Sequence, residues 1–348
     1  MTDAGRAGES TGTAVQTPAA AAPAGRRGRR TADVPALVAG ARDGDARSVA
    51  RLISLVEDAS PALREVAAAL SPHTGHAQVI GLTGSPGVGK STTTTALVRA
   101  FRAAGKRVGV LAVDPSSPFS GGALLGDRVR MQDHAGDGGV YIRSMASRGH
   151  LGGLAWATPQ ALRVLDAAGC DVVLIETVGV GQSELEIASL ADTTLVLVAP
   201  GMGDGIQAAK AGILEVADLF VVNKADRDGA DQTVRDLRYM QSLGGRHSEP
   251  GHWRPPICKT VASRETDNGI DTVVAKVEEH RLWLESSGEG QRRREERAAR
   301  EIEAIALASL RERLADVHGS AALGSLAGSV VAGQTDPFRA SDELLAQL

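Results

Sequence analysis

Val79-Ile80-Gly81-Leu82-Thr83-Gly84-Ser85-Pro86-Gly87-Val88-Gly89-Lys90-Ser91-Thr92 is the stretch on which the reading of this chain turns. It combines a short apolar strand, a glycine-rich loop and the start of a helix continued by Thr95-Ala96-Leu97-Val98-Arg99-Ala100. Gly84 to Ser91 fit the phosphate-loop pattern G-x-x-x-x-G-K-[ST] in full. Glycines reach positive φ and leave backbone N–H groups uncovered by a Cβ. With the helix N-terminus, those N–H groups make a concave donor set for phosphate oxygens. Lys90 adds a positive charge for the β- and γ-phosphates. The Ser91 hydroxyl suits Mg2+, which takes a few oxygen ligands and keeps waters. A glycine turn that binds nothing is the competing reading; the strand before and the helix after weigh against it.

The chain has 348 residues, enough for one α/β domain with helical extensions. Hydrophobic residues make up 43% but aromatics only 3%, so the core must be built from Ala, Val, Leu and Ile. A net charge of -4 gives no electrostatic case for nucleic acid or an anionic membrane as a partner. Cys170 and Cys258 have no neighbouring ligand spacing and read as buried thiols, not as a disulfide or metal pair. No apolar run approaches the ~20 residues of a membrane helix, and no apolar signal-peptide core is found. A soluble, cytoplasmic protein is expected.

Four segments follow from the chain order. Residues 1–32, rich in Ala, Gly, Thr and Pro and closing on Arg26-Arg27-Gly28-Arg29-Arg30, read as a disordered tail. A targeting peptide, opposed by Asp3 and Glu9, and a basic arm for a partner are the alternatives. Residues 33–76 form a helical N-terminal extension, with Leu37, Val38, Val49, Leu52, Ile53, Val56, Leu63, Val66 and Leu70 at helical spacing and a helix start at Ser60-Pro61. Residues 77–284 alternate short apolar strands with helices. The strands are expected at 79–82, 108–113, 140–142, 172–175, 195–198, 219–222 and 257–259. Such a pattern gives right-handed βαβ crossovers and a mainly parallel sheet covered by helices, the α/β fold of a phosphate-loop NTPase. Residues 285–348 form a helical C-terminal arm. Its first helix runs from Glu285 to about Asp316 with one stripe of Ile302, Ile305, Ala306, Leu310, Leu314 and Val317. The run Arg292-Arg293-Arg294-Glu295-Glu296-Arg297 reads as a solvated helix face. An arm this short has no core of its own and must pack on the nucleotide domain or on a second copy.

Asn223-Lys224-Ala225-Asp226 is the second anchor, an N-K-x-D at a strand end about 130 residues after the phosphate loop. The Asp226 carboxylate can accept from the ring N–H and 2-amino group of guanine. Adenine lacks that pair and would leave the acid unsatisfied, which favours guanine. Asn223 and the Lys224 stem shape the base pocket. In Thr260-Val261-Ala262-Ser263, a backbone N–H, that of Ala262, is placed to meet the guanine oxygen. Asp114, Asp127 and Glu176 are the metal candidates beside Ser91, because strand-end acids hold Mg2+ in phosphate-loop enzymes. Each could instead be a helix cap or a surface charge, a reading weakest for Asp114 and Glu176 at the ends of apolar strands. Lys90 and Glu176 are assigned to catalysis. Gly179 and Gly181 suit a loop that moves with the γ-phosphate.

Taken together, these residues resemble the MeaB/ArgK/MMAA family of phosphate-loop GTPases, relatives of the metal-insertion GTPases. The similar segments are Gly84–Thr92, Asp114–Met131 (DPSSPFSGGALLGDRVRM), Ile142–Leu154 (IRSMASRGHLGGL), Glu176–Glu184 (ETVGVGQSE), Pro200–Gly212 (PGMGDGIQAAKAG) and Asn223–Asp226, with Asp336-Pro337-Phe338 in the arm. The resemblance implies Mg2+-dependent hydrolysis of GTP to GDP. It also implies chaperoning of an adenosylcobalamin-dependent acyl-CoA mutase, usually methylmalonyl-CoA mutase, with gated cofactor delivery and protection from inactivation. It implies a homodimer formed through the C-terminal arm. The family's Mg2+ residues fall on Ser91, Asp114, Asp127 and Glu176, its nucleotide residues on Gly87 to Thr92, Asn223, Lys224 and Asp226, and its partner-responsive loops on 182–186 and 201–210. Gly205 departs from an acidic residue common in the family, and Val261 from a small polar one.

Hydrolysis requires in-line water attack with the phosphate charge neutralised. No glutamine or arginine stands out as acting in cis; Arg148 reads first as a structural salt bridge, with charge stabiliser as the alternative. A nickel-insertion GTPase would carry a His-rich tract or Cys-x-x-Cys store, whereas the eight histidines here are scattered. A regulatory module that holds GDP without useful hydrolysis remains open from sequence. An ATP-driven transporter subunit is opposed by the N-K-x-D.

Overall fold

The computed structural model describes residues 32–58, 60–115, 134, 136–147, 157–177, 183–201, 216–243, 251–317 and 321–346. The chain divides into two units, Met1–Asp33 and Val34–Leu348, and every element named below belongs to the second. The tail expected at the N-terminus lies almost wholly outside the described residues.

Seven strands form one sheet: β1 (Gln78–Thr83), β2 (Val108–Pro115), β3 (Val140–Ser147), β4 (Val172–Thr177), β5 (Thr193–Val198), β6 (Leu219–Val222) and β7 (Ile257–Lys259). Their order is β3-β2-β4-β1-β5-β6-β7, and every pairing is parallel. All seven coincide with the apolar runs expected from sequence. Successive residues of a strand point to opposite faces, so an unbroken apolar run requires cover on both. Leu195 and Leu197 join one core with Leu219 and Val221, while Val196 and Val198 join another with Phe220 and Val222.

The helices among the described residues supply that cover. They are α1 (Val34–Arg42), α2 (Ala46–Glu57), α3 (Leu63–Leu70), α4 (Lys90–Ala103), α5 (Thr158–Ala167), α6 (Ser183–Leu190), α7 (Ala230–Leu243), α8 (Ile270–Ser287), α9 (Glu289–Val317), α10 (Ala321–Val331) and α11 (Pro337–Leu345). α4 and α8 seal the first core with Leu97, Phe101, Val273 and Val277, and α7 seals the second with Val234 and Leu237. None of these helices is long and apolar enough to cross a membrane. Cys170 and Cys258 are buried free thiols, and burial pushes Cys170 up to about 12.

The N-terminal extension is three helices on the β3 side of the sheet. Asp45 caps α2 by accepting from the N–H groups of Arg47 and Ser48. Arg143 of β3 donates to Glu57 and Ser54 of α2. The helix expected to start at Ser60-Pro61 begins at Leu63 instead, because the chain first makes a turn in which Leu63 N–H donates to the Ser60 carbonyl. At the other end the expected helix from Glu285 is two helices. α8 runs on to Ser287 and ends at Gly288, whose φ of 75° favours glycine and stops the helix.

α9 is fastened where the strands begin. Arg293 donates to both oxygens of Asp218 at 3.0 and 3.2 Å, and Arg297 donates to Asp192 at 2.9 Å. Asp192 also accepts from Val79 N–H at the start of β1, and Asp218 from Thr194 N–H in β5. Four residues further along, Glu301 accepts from Arg163 and Gln160 of α5. The charge run read as solvated is therefore divided. Arg292 stays at the surface with Glu289 and Glu296, while Arg293 and Arg297 turn inward.

His280 of α8 is fully buried beside this junction. Its Nδ1 is 2.8 Å from Thr193 Oγ1, its Nε2 is 3.3 Å from Asp218 Oδ1, and its ring stacks on Trp283. Burial pushes the imidazole down from 6.5 to about 4, against the opposing pull of Asp218. The unfolded chain therefore takes up this proton first as the pH falls. The His280 contribution is present in full above about pH 6.5 and is lost towards pH 4, with a slope approaching about 1.4 kcal/mol per pH unit. Urea melts at pH 7.5, 6 and 5 will show the decline, and His280→Gln will flatten it; an unchanged slope in the variant would rule this histidine out as its source.

Candidate functional site

Parallel strands bring their carboxyl ends to one edge, and the sequence motifs meet there. After Thr83 the chain turns at Gly84, with φ 138°, where a Cβ would lie 2.3 Å from the Leu197 carbonyl oxygen of β5. At Gly89, φ 98°, a Cβ would lie 2.4 Å from Asn223 Nδ2. Both positions exclude a side chain by conformation and by contact. The loop then enters α4 at Lys90, so the first-turn N–H groups open toward the loop.

Lys90 is buried, and its Nζ donates to the carbonyls of Gly84 at 2.6 Å and Ser85 at 3.1 Å. Ser91 Oγ donates to Glu176 Oε1 at 2.6 Å. Glu176, near the end of β4, is 4% exposed, and its other oxygen accepts from Thr94 Oγ1 at 2.9 Å. Thr94 was not singled out from sequence. Its signal was the hydroxyl run Ser91-Thr92-Thr93-Thr94-Thr95, polar residues where a helix turns to the sheet and must find partners.

The base-side motif rests directly on the phosphate loop. Asn223, 3% exposed, donates from Nδ2 to the Val88 carbonyl at 2.8 Å. Its Oδ1 accepts from Ala262 N–H at 3.1 Å and Thr260 Oγ1 at 3.2 Å. Lys224, in the left-handed region at φ 57°, donates to the Gly87 carbonyl at 2.6 Å. Asp226 is half-exposed, with Arg264 3.9 Å away. Ala262, expected at the guanine oxygen, has its N–H on Asn223.

The structure thus gathers Gly84 to Ser91, Glu176, Asn223, Lys224 and Ala262 into one continuous set of contacts. Thr92 follows in the first turn of α4. Asp114 lies in β2 beside β4, two residues past the Ala112–Glu176 register pair, and only its backbone is described. Asp127, Arg148, Gly179, Gly181 and Gly205 lie outside the described residues, as do residue 182 and residues 202–210 of the two expected partner loops, while residues 183–186, expected as loop, are the first turn of α6. Among the described residues no group of three or more His, Cys, Asp or Glu could hold a metal. What the edge offers is a hydroxyl and a carboxylate in contact, hard oxygen donors that fit Mg2+ when a phosphate and waters complete its shell.

With this geometry in place, comparisons with known proteins agree in direction. The family profile described as "Methylmalonyl Co-A mutase-associated GTPase MeaB" matches residues 49–318. A Pyrococcus abyssi protein whose name places it among the GTPases is 45% identical over 307 residues, 88% of this chain and 94% of that one. Escherichia coli GTPase ArgK is 36% identical over 264 residues, 74% of this chain and 78% of that one. The crystal structure of a protein titled LAO/AO transport system kinase superposes with a TM-score of 0.65 at 26% identity, covering 91% of this chain and 98% of that chain.

Asn223→Ala will leave the Val88 carbonyl and the Ala262 N–H buried without their partner, each at a cost of about 1–3 kcal/mol. Denaturant melts are expected to show a loss of roughly 2–5 kcal/mol. Asn223→Asp, which keeps the acceptor but not the donor, should fall between; a variant as stable as the parent would show that the amide does not hold the two loops.

Proposed function

The chain belongs to the MeaB family of methylmalonyl-CoA-mutase-associated GTPases and hydrolyses GTP, and we propose that it does so with Mg2+ at this sheet edge while chaperoning an adenosylcobalamin-dependent acyl-CoA mutase. Asn223 is the observation that carries the reading. One buried amide joins the phosphate loop to the loop after β7, so phosphate binding and base reading share a support.

In this reading the backbone donors of Gly84, Ser85, Pro86-flanked Gly87, Val88, Gly89, Lys90, Ser91 and Thr92 cradle the phosphates. The Lys90 ammonium, held at the loop carbonyls, lies against the bridging and terminal phosphate oxygens. Ser91, Glu176, Asp114 and Asp127 are the residues that would hold Mg2+, which when bound neutralises phosphate charge. Ser91 keeps its proton on Glu176, leaving oxygen lone pairs for the cation. Asp226 accepts from the guanine ring N–H and 2-amino group, Lys224 lines the base, and Ala262 shares its N–H between Asn223 and the guanine oxygen. Water attacks the γ-phosphate in line. Buried donors and a fixed ammonium stabilise the charge that develops, because they need no reorganisation. Turnover is slow until the mutase engages the loops after β2 and β4. GTP hydrolysis then times cofactor delivery, in the cytoplasm.

The arm supports a second part of the proposal. Ile302, Ile305 and Leu310 of α9 are exposed, Ile302 at 68%, as are Val331 at 89% and Phe338 at 83%. Apolar side chains repeated along one arm are the kind of surface a second copy covers, and we assign homodimerisation to it.

Calorimetry with Mg2+ should find GDP bound at least ~100-fold more tightly than ADP, with the preference erased in Asp226→Ala. Equal affinities in the parent chain would defeat the guanine assignment. In sedimentation the chain should run as a dimer and shift further with a cobalamin-dependent mutase and a non-hydrolysable GTP analogue, with GTP turnover rising in the mixture. A monomer indifferent to the mutase would reject both the dimer and the chaperone roles.

A further inference from the structure

Glu176 is gripped at both oxygens by one helix. Ser91 Oγ is 2.6 Å from Oε1 and Thr94 Oγ1 is 2.9 Å from Oε2. Residues three apart share a helix face, so the two hydroxyls approach the carboxylate side by side. Thr94 is fully buried. Its neighbours show what a helical threonine does without such a task. Thr93 donates to the Gly89 carbonyl at 2.9 Å and Thr95 to the Ser91 carbonyl at 3.0 Å, each bonding back along its own helix. Thr94 stands 3.1 Å from the Lys90 carbonyl but reaches the carboxylate of a different strand as well. A hydroxyl has one proton. The nearer acceptor is Glu176.

We propose that Thr94 is a positioning residue for the Mg2+-dependent step: by holding Glu176 Oε2 it fixes the carboxylate so that Oε1 accepts the hydrogen bond from the Ser91 hydroxyl, which keeps its proton and would hold the cation through its oxygen lone pairs. The inference rests on the GTPase reading of this edge and extends it to a residue outside the phosphate-loop motif. A carboxylate on a side chain with three rotatable bonds needs such a tether. Losing that hydrogen bond loosens the aim of Oε1 at the Ser91 hydroxyl. Groups that orient a metal ligand characteristically alter metal affinity by about 10–100-fold when removed. Volume alone does not ask for the hydroxyl, since valine fills the same space.

The test uses the full chain and a fluorescent non-hydrolysable GTP analogue, titrated with Mg2+ and again in EDTA. Thr94→Val should raise the Mg2+ concentration for half-maximal response about 10-fold or more, while its analogue affinity in EDTA stays that of the parent. Thr94→Ser, which restores the hydroxyl, should return the midpoint to within about two-fold of the parent. A Thr94→Val midpoint equal to the parent's overturns the proposal. So does equal loss of binding in EDTA, which would make the hydroxyl a support of the loop and not of the cation. A parent chain that binds the analogue with no Mg2+ response, and is unaltered by Ser91→Ala, would instead sink the metal assignment on which the proposal stands.

Discussion

Seven strands running in one direction place seven carboxyl ends on a single edge, and the rest of the molecule follows from that constraint. Strands parallel to one another cannot be joined by tight turns, so each connection must cross a face, and among the described residues those after β1, β3, β4 and β6 bring a helix with them. The faces are sealed, and the polar chemistry is left with one place to go. β1, central in the sheet, delivers the phosphate loop there. β4, its neighbour, delivers Glu176. β6, two strands to the other side, delivers Asn223-Lys224-Ala225-Asp226. Residues far apart in sequence meet because their strands are in register, as Leu82 is with Glu176.

How much of this could be read from the chain depended on how local each signal was. The strands were legible because burial on both faces demands unbroken apolar runs. Their ends were less so. β3 continues through Arg143 and Ser144 to Ser147, polar residues that pair with β2 in an edge strand, and no hydrophobicity pattern marks them. The phosphate loop and N-K-x-D were legible as motifs, but the contact that unites them was not. Asn223 and Val88 are 135 residues apart, and nothing in either segment names the other. The guanine oxygen's expected donor, Ala262 N–H, proved to have a partner of its own for the same reason. Thr94 was hidden by its company, one hydroxyl among five.

The C-terminal arm shows the opposite balance. Helical periodicity identified the apolar stripe of α9, but period alone does not say whether a stripe is covered within the chain. Here it is exposed along Ile302, Ile305 and Leu310. The charge-rich run before it was harder. Arginine on a helix reads as solvated by default, because exposed ion pairs contribute little and are common. What distinguishes Arg293 and Arg297 is their acceptors, Asp218 and Asp192, whose carboxylates also hold backbone N–H groups at the start of strands. Those aspartates sit just outside the apolar runs, where a sequence reading sees only loop.

That fastening makes the root of α9 a lever with two fulcrums. Asp192 accepts from Val79, the second residue of β1, and Asp218 immediately precedes β6. Both strands are short, stiff rods of about 3.3 Å per residue, and their far tips carry the glycine-rich loop and Asn223. The same helix root therefore braces, from behind, the two strands whose other ends meet through Asn223 and the Val88 carbonyl.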